Sequence, residues 1–117
     1  MWNVADAERS LAFYTGELGL APVRVDEWRR GEVPFPSVRV TPTFIVDILE
    51  TGRSVDPAGA NVDHLCLVVD SVDLAAVAAS GRLTVVDGPA ARFGARGMGT
   101  SLYVLDPDGN TVELRHY

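Results

Sequence analysis

The chain repeats itself, and that repeat limits the folds open to it more than any other feature. An offset of 66 residues lays Val46-Asp47-Ile48 on Val112-Glu113-Leu114, and the turn at Pro42 on the turn at Asp108. An offset of 65 lays Val4-Ala5-Asp6 on Val69-Asp70-Ser71. The duplication is too short for a solenoid and suits two stacked modules. A helix that follows a strand covers one face of its sheet. The opposite face of each module is then free to line a shared cavity.

Local signals fill in each module. Residues 6–18 are predicted as a helix, with Asp6 as N-cap, Glu8 in the first turn and Gly19 beyond the end. Leu11, Tyr14 and Leu18 recur at helical spacing. Strands are predicted at 20–26, 36–41 and 44–50, punctuated by Gly31, Pro34, Pro36 and Pro42. Residues 51–61 read as a linker. The second half then gives a strand at 62–69, a helix at 71–80 ending at Gly81, a short strand at 83–86, a Gly- and Arg-rich loop at 87–99, and strands at 100–105 and 111–116.

The expected fold is α+β, built of two βαβββ modules: module one 1–50, linker 51–61, module two 62–117. The first module lacks most of its first strand, since only Met1 to Val4 precede the helix and the counterpart of His64 falls ahead of Met1. A missing edge strand leaves unpaired backbone groups on its neighbour and invites pairing with another chain.

Composition excludes several classes of function. At 117 residues and 47% hydrophobic the chain suits one compact domain. No apolar run approaches the roughly 18–20 residues that span a bilayer. The polar residues after Met1 read as no secretory leader. Net charge is −6, the wrong sign for a phosphate-binding surface, so nucleic acid is not an expected partner. The ten basic residues are all arginine, a bias that points to a GC-rich coding genome rather than to a binding role. One cysteine, Cys66, forms no internal disulfide and fits a reducing cytoplasm.

Two strands carry the chemistry. Side chains alternate across a strand. Val112 and Leu114 therefore face one way, and Glu113 faces solvent or a cavity. His64 stands at the head of the apolar run Leu65-Cys66-Leu67-Val68-Val69, directly after Asp63. His64 and Glu113 can converge on one metal ion or one substrate, and Glu113 is the candidate catalytic carboxylate. An imidazole nitrogen with carboxylate oxygens suits Zn, Mn, Fe(II), Co or Ni, and ligand type alone does not choose among them. The plainer alternatives are a hydrogen-bonded sheet histidine and a solvent-facing strand glutamate. Cys66 shares a face with His64 and either borders the cavity or is a small buried hydrophobe, the commoner fate of a free cysteine. Glu50 and His116 alternate away from Asp47 and Glu113 and are set aside. In the 87–99 loop, Arg92, Phe93 and Arg96 read as a flap for an anionic substrate or as a solvated connector. Trp28 lies between strands and is placed to cap the core.

Three passages resemble the vicinal oxygen chelate superfamily, which includes glyoxalase I, fosfomycin-resistance transferases, extradiol dioxygenases and bleomycin-resistance proteins. They are Val4-Ala5-Asp6-Ala7-Glu8-Arg9-Ser10-Leu11-Ala12-Phe13-Tyr14 with Leu18-Gly19-Leu20; Asp63-His64-Leu65-Cys66-Leu67-Val68; and Ser101-Leu102-Tyr103-Val104 with Asp106-Pro107-Asp108-Gly109-Asn110 and Val112-Glu113-Leu114. The resemblance implies paired βαβββ modules, a homodimer and a divalent metal held from the first and last strands of each module. Its positions fall on His64, Glu113 and Asp47, the last a shorter side chain than the family's usual Glu or Gln.

Two functions follow as expectations. One is a metal-dependent enzyme of the glyoxalase or fosfomycin-resistance kind, acting on a small oxygen-bearing substrate. The other is a metal-free protein of the bleomycin-resistance kind, with Trp28, Cys66, Phe93 and Tyr103 lining a ligand cavity. A degenerate copy serving as a dimeric scaffold is a third.

Overall fold

Two four-stranded sheets account for the strands among the described residues, and both use one strand order. The computed structural model describes residues 1–52, 62–70, 72–94 and 96–117. The elements run β1 (Trp2–Val4), α1 (Ala7–Leu11) continuing into a π-helical stretch (Ala12–Glu17), β2 (Ala21–Val23), α2 (Val25–Arg29), β3 (Ser37–Thr41), β4 (Phe44–Glu50), β5 (His64–Val68), α3 (Leu74–Ala79), β6 (Thr84–Gly94), β7 (Gly97–Leu105) and β8 (Thr111–His116). One sheet is ordered β1-β4-β3-β2 and the other β5-β8-β7-β6. In each, the first strand runs parallel to the last and the remaining pairs are antiparallel. The chain divides into two compact units, Met1–Asp56 and Pro57–Tyr117. No helix among the described residues is long and apolar enough to cross a membrane.

The register carries the repeat through. Trp2 stands opposite Ile48 in the first sheet, as Leu67 stands opposite Leu114 in the second. Those pairings reproduce the offsets of 65 and 66 residues. The expected remnant of a first strand is present as the three residues of β1.

Alternation decides which face is core. In the first unit Val4, Val38, Val46 and Ile48 are buried, with Ala7, Leu11 and Tyr14 of the helix that lies against β4. In the second, Leu67, Leu102, Val104, Val112 and Leu114 are buried on the side that meets α3, whose Leu74 is also buried. Asp6 caps α1 through the Arg9 N–H at 3.0 Å, and Asp73 caps α3 through the N–H groups of Ala75 and Ala76. Glu50 is exposed; it accepts from the Ala7 N–H at 2.8 Å and ties the end of β4 to the start of α1.

Three expectations need correction. The strand placed at 20–26 is only Ala21–Val23, because Arg24 takes a left-handed conformation (φ 57°) and α2 begins at Val25. Asp26 and Glu27 in the first turn of α2 favour its N-terminus. The helix at 6–18 changes character: from Ala12 it widens, with the Leu18 N–H bonded to the Phe13 carbonyl five residues back. The loop at 87–99 is instead the long β6–β7 hairpin. Register shifts around Gly88 and Pro89 absorb the proline, and pairing then runs on to Gly94 opposite Gly97. The predicted linker at 51–61 lies mostly outside the described residues.

Candidate functional site

Alternation that sends Val112 and Leu114 into the core sends Glu113 and Arg115 to the opposite face of the second sheet. Register then places Cys66 and Tyr103 on either side of Glu113, and Ser101 beside Arg115. His64 lies two residues before Cys66 on the same face. This face is polar, yet Glu113 and Arg115 are only 3% and 4% exposed. Buried charges persist where they are paired and hydrogen-bonded.

The pairing is specific. Arg115 donates from Nε at 3.0 Å and from Nη2 at 2.8 Å, both to Glu113 Oε1. Its Nε also lies 3.0 Å from the Ser101 hydroxyl. Glu113 Oε2 instead faces His64 Nε2 at 3.2 Å. On its other side the imidazole meets Asp63, with Nδ1 2.6 Å from Oδ2. The Tyr103 ring stands edge-on to the imidazole, centroids 5.5 Å apart.

A neutral imidazole has one N–H and can donate to only one of two carboxylates. On Nδ1 that hydrogen serves Asp63; on Nε2 it serves Glu113. In the first case the Nε2 lone pair and Glu113 Oε2 face each other as two acceptors that a shared cation would join. A separation of 3.2 Å admits one divalent ion at the usual distance of about 2.1 Å from each donor. The outer contacts match as well, since metal-binding histidines and carboxylates are commonly held by second partners such as Asp63 and Arg115 here.

The surroundings tune the acid groups. Burial pushes the Glu113 carboxyl up, but hydrogen bonds from Ser101 and Cys66 and the Arg115 charge outweigh it, leaving it below the ordinary value. Desolvation first, then the Glu113 hydrogen bond and charge, push the Cys66 thiol up to about 11. Cys66 is exposed rather than a buried hydrophobe, because β5 presents it to the polar face. At pH 8 it is expected to carry about a hundredfold less thiolate than a free cysteine. Ellman titration of folded protein should therefore be slow, and Glu113→Gln should accelerate it. Equal rates in the two proteins would contradict the coupling.

Other predicted site residues fall elsewhere, apart from Arg92, which reaches the Tyr103 hydroxyl. Asp47 belongs to the first unit, on the face of β4 away from its core, and accepts from the Ser37 hydroxyl at 2.7 Å. Trp28 is half-buried on α2 of that unit. Arg92 pairs with Asp87 at 2.8 Å. Arg96 lies over the Tyr117 ring at 5.5 Å, and Phe93 is 82% exposed. Among the described residues, no group of three or more His, Cys, Asp or Glu side chains is placed to hold one ion. A cavity of about 330 Å³ in the first unit, bordered by Leu11, Thr15, Arg24 and Arg29, takes in none of the residues singled out from the sequence as site candidates. Sequence reasoning missed Arg115 and Ser101. The signal was present, since Arg115 lies two residues beyond Glu113 on the same strand and shares its face.

The family model for the Glyoxalase/Bleomycin resistance protein/Dioxygenase superfamily matches residues 1–114. Over 96% of its length the chain is 30% identical to the glyoxalase domain-containing protein RDO1 of Mycosarcoma maydis, and it spans 62% of that protein. It is 26% identical to the virulence protein STM3117 of Salmonella typhimurium, covering 98% of this chain and 79% of that one. A solved integron cassette protein of V. cholerae, VCH_CASS1, superposes with a TM-score of 0.73 at 28% identity, covering 98% of this chain and 89% of the other. A duplicated βαβββ fold and a family match across nearly the whole chain together make this protein a member of the Glyoxalase/Bleomycin resistance protein/Dioxygenase superfamily.

Proposed function

We propose that this chain is a divalent-metal-dependent enzyme of the glyoxalase or fosfomycin-resistance kind, acting in the cytoplasm on a small oxygen-bearing substrate. The observation that carries this reading is the 3.2 Å approach of His64 Nε2 to Glu113 Oε2, with each group's other atom held by a separate partner. His64 and Glu113 would hold the ion, and substrate oxygens would fill positions they leave open. Zn, Mn, Fe(II), Co and Ni all fit this donor chemistry. A bound ion would supply Lewis-acid polarisation of a substrate carbonyl or phosphoryl oxygen.

The remaining roles belong to the chain. Glu113 stays ionised near neutral pH and offers Oε2 as an oxygen donor or as acceptor of a substrate proton. Tyr103 walls His64 on one side. Cys66 presents an uncharged thiol beside Glu113. Arg92, Phe93 and Arg96 on the hairpin are proposed substrate contacts. A homodimer completes the proposal, since the family resemblance implies one and the outer edge of β1 is unpaired among the described strands.

The test is metal content by elemental mass spectrometry, on protein purified without chelator and titrated with each of the five ions. About one tightly held ion per chain is expected, lost in His64→Ala and in Glu113→Gln. Equal metal uptake by wild type and Glu113→Gln would defeat the reading. A second reading, metal-free ligand binding of the bleomycin-resistance kind, draws support from Arg115, whose charge already neutralises Glu113. It predicts ligand-induced fluorescence changes that persist in chelator.

A further inference from the structure

Glu113 has two carboxylate oxygens with different fates, and one side chain decides which is which. Arg115 binds Oε1 through two nitrogens. Its Nη2 also donates to the Phe93 carbonyl at 3.1 Å, and Nη1 reaches the Tyr117 hydroxyl at 3.4 Å. The Tyr117 hydroxyl in turn accepts from the Arg96 N–H at 3.2 Å. One guanidinium thus joins the carboxylate to the far end of the β6–β7 hairpin, directly at Phe93 and through Tyr117 at Arg96.

Gly94 shows that the hairpin is shaped around this group. A Cβ at Gly94 would coincide with Arg115 Nη1, and would stand 2.5 Å from Cζ and 2.8 Å from the Tyr117 hydroxyl. Gly94 has no positive φ, so the backbone itself admits alanine. The space, rather than the backbone, requires glycine. The atoms in the way are the end of a long side chain, which can withdraw without moving the sheet.

We infer that Arg115 is a positioning residue: it turns Glu113 so that Oε2 alone is offered beside His64, and it fastens the hairpin bearing Arg92, Phe93 and Arg96 to that same carboxylate. As a statement about metal affinity the inference rests on the function proposed above. As a statement about the hairpin it does not. A planar guanidinium is suited to this work because its fork of donors is rigid, whereas a lysine keeps the charge without the fork.

The experiment compares wild type, Gly94→Ala, Arg115→Lys and Glu113→Gln. Mn²⁺ affinity is read by isothermal titration, fold by circular dichroism and melting, and the Arg96 amide by hydrogen exchange in NMR. Gly94→Ala is expected to keep its fold and its Mn²⁺ stoichiometry while binding about 10–100-fold more weakly. Its Arg96 amide should exchange at least about tenfold faster, the sign of a hairpin end that opens locally while the sheet stays folded. Arg115→Lys is expected to behave alike, and decides the matter should Gly94→Ala not fold. Wild-type Mn²⁺ affinity in the folded variant overturns the inference. If wild type binds none of the five ions, the metal reading fails and the amide decides alone; if it binds one other than Mn²⁺, that ion takes the place of Mn²⁺ in the comparison. Faster Arg96 exchange in Glu113→Gln as well as in the other variants supports the tether, and unchanged exchange in Glu113→Gln overturns it.

Discussion

Arg115→Met is expected to lower the melting temperature by roughly 10–20 °C, one of the largest single-site effects in this protein. Methionine fills a similar volume and keeps the apolar stem, so the loss is not one of packing. It is the loss of the positive charge paired with Glu113, a carboxylate nearly shielded from water. Ser101 and Cys66 remain beside Glu113, but neither carries a positive charge. A carboxylate left alone in such a place is destabilising by far more than the pair was stabilising. The control is therefore Arg115→Met combined with Glu113→Leu, which removes both charges together and is expected to recover most of the lost stability. A double variant as unstable as Arg115→Met alone would mean that packing, not charge, sets the effect. Linkage gives a second check. The Glu113 carboxyl sits below its ordinary value in the folded chain, so its contribution is present above the unfolded value of about 4.5 and fades as pH falls through the lower folded value. Glu113→Gln should flatten that acid limb of the stability profile.

The same region shows what sequence reasoning reaches and where it stops. The repeat puts Glu113 and Asp47 at equivalent places on β8 and β4, and strand alternation turns both away from their cores. His64 is legible as the odd polar residue of an apolar strand. Arg115 obeys the same alternation but stands outside the apolar frame of Val112 and Leu114 that marks Glu113, so the pattern does not single it out. The hairpin is hidden for a different reason. Gly88, Pro89, Gly94, Gly97 and Gly99 are loop signals when read locally. In the fold, Gly94 and Gly99 are strand residues whose missing side chains make room for Arg115 and Tyr117, which are distant in sequence. A glycine required by a neighbour about twenty residues away cannot be told by local pattern from a glycine required by a turn. α2 is hidden because Val23 and Val25 alternate like a strand. Arg24 breaks that alternation through its left-handed backbone, which arginine does not advertise.

Leu102→Ala and Tyr103→Ala, neighbours on β7, are expected to fail in opposite ways. Leu102 is fully buried and pairs with Leu114 in the core beneath α3. Truncating it removes apolar burial and leaves a cavity in the middle of a four-stranded sheet, which is destabilising by about 3–5 kcal/mol. For a domain whose net stability is of order 5–15 kcal/mol, the variant should unfold at much lower urea, with an unchanged slope. Tyr103 points to the other face, pairs in register with Glu113 and stands edge-on to His64. It is only half-buried, so its removal should shift the urea midpoint little. What it should change is the site: His64 loses the ring that limits its rotation, and ion or ligand affinity drops while folding survives. Urea titration and Mn²⁺ titration on both variants separate the two roles. A Tyr103→Ala protein that unfolds as readily as Leu102→Ala would place Tyr103 in the core and remove it from the site. One that binds like wild type would leave the polar face without its wall and point to Asp63 as the group that orients His64.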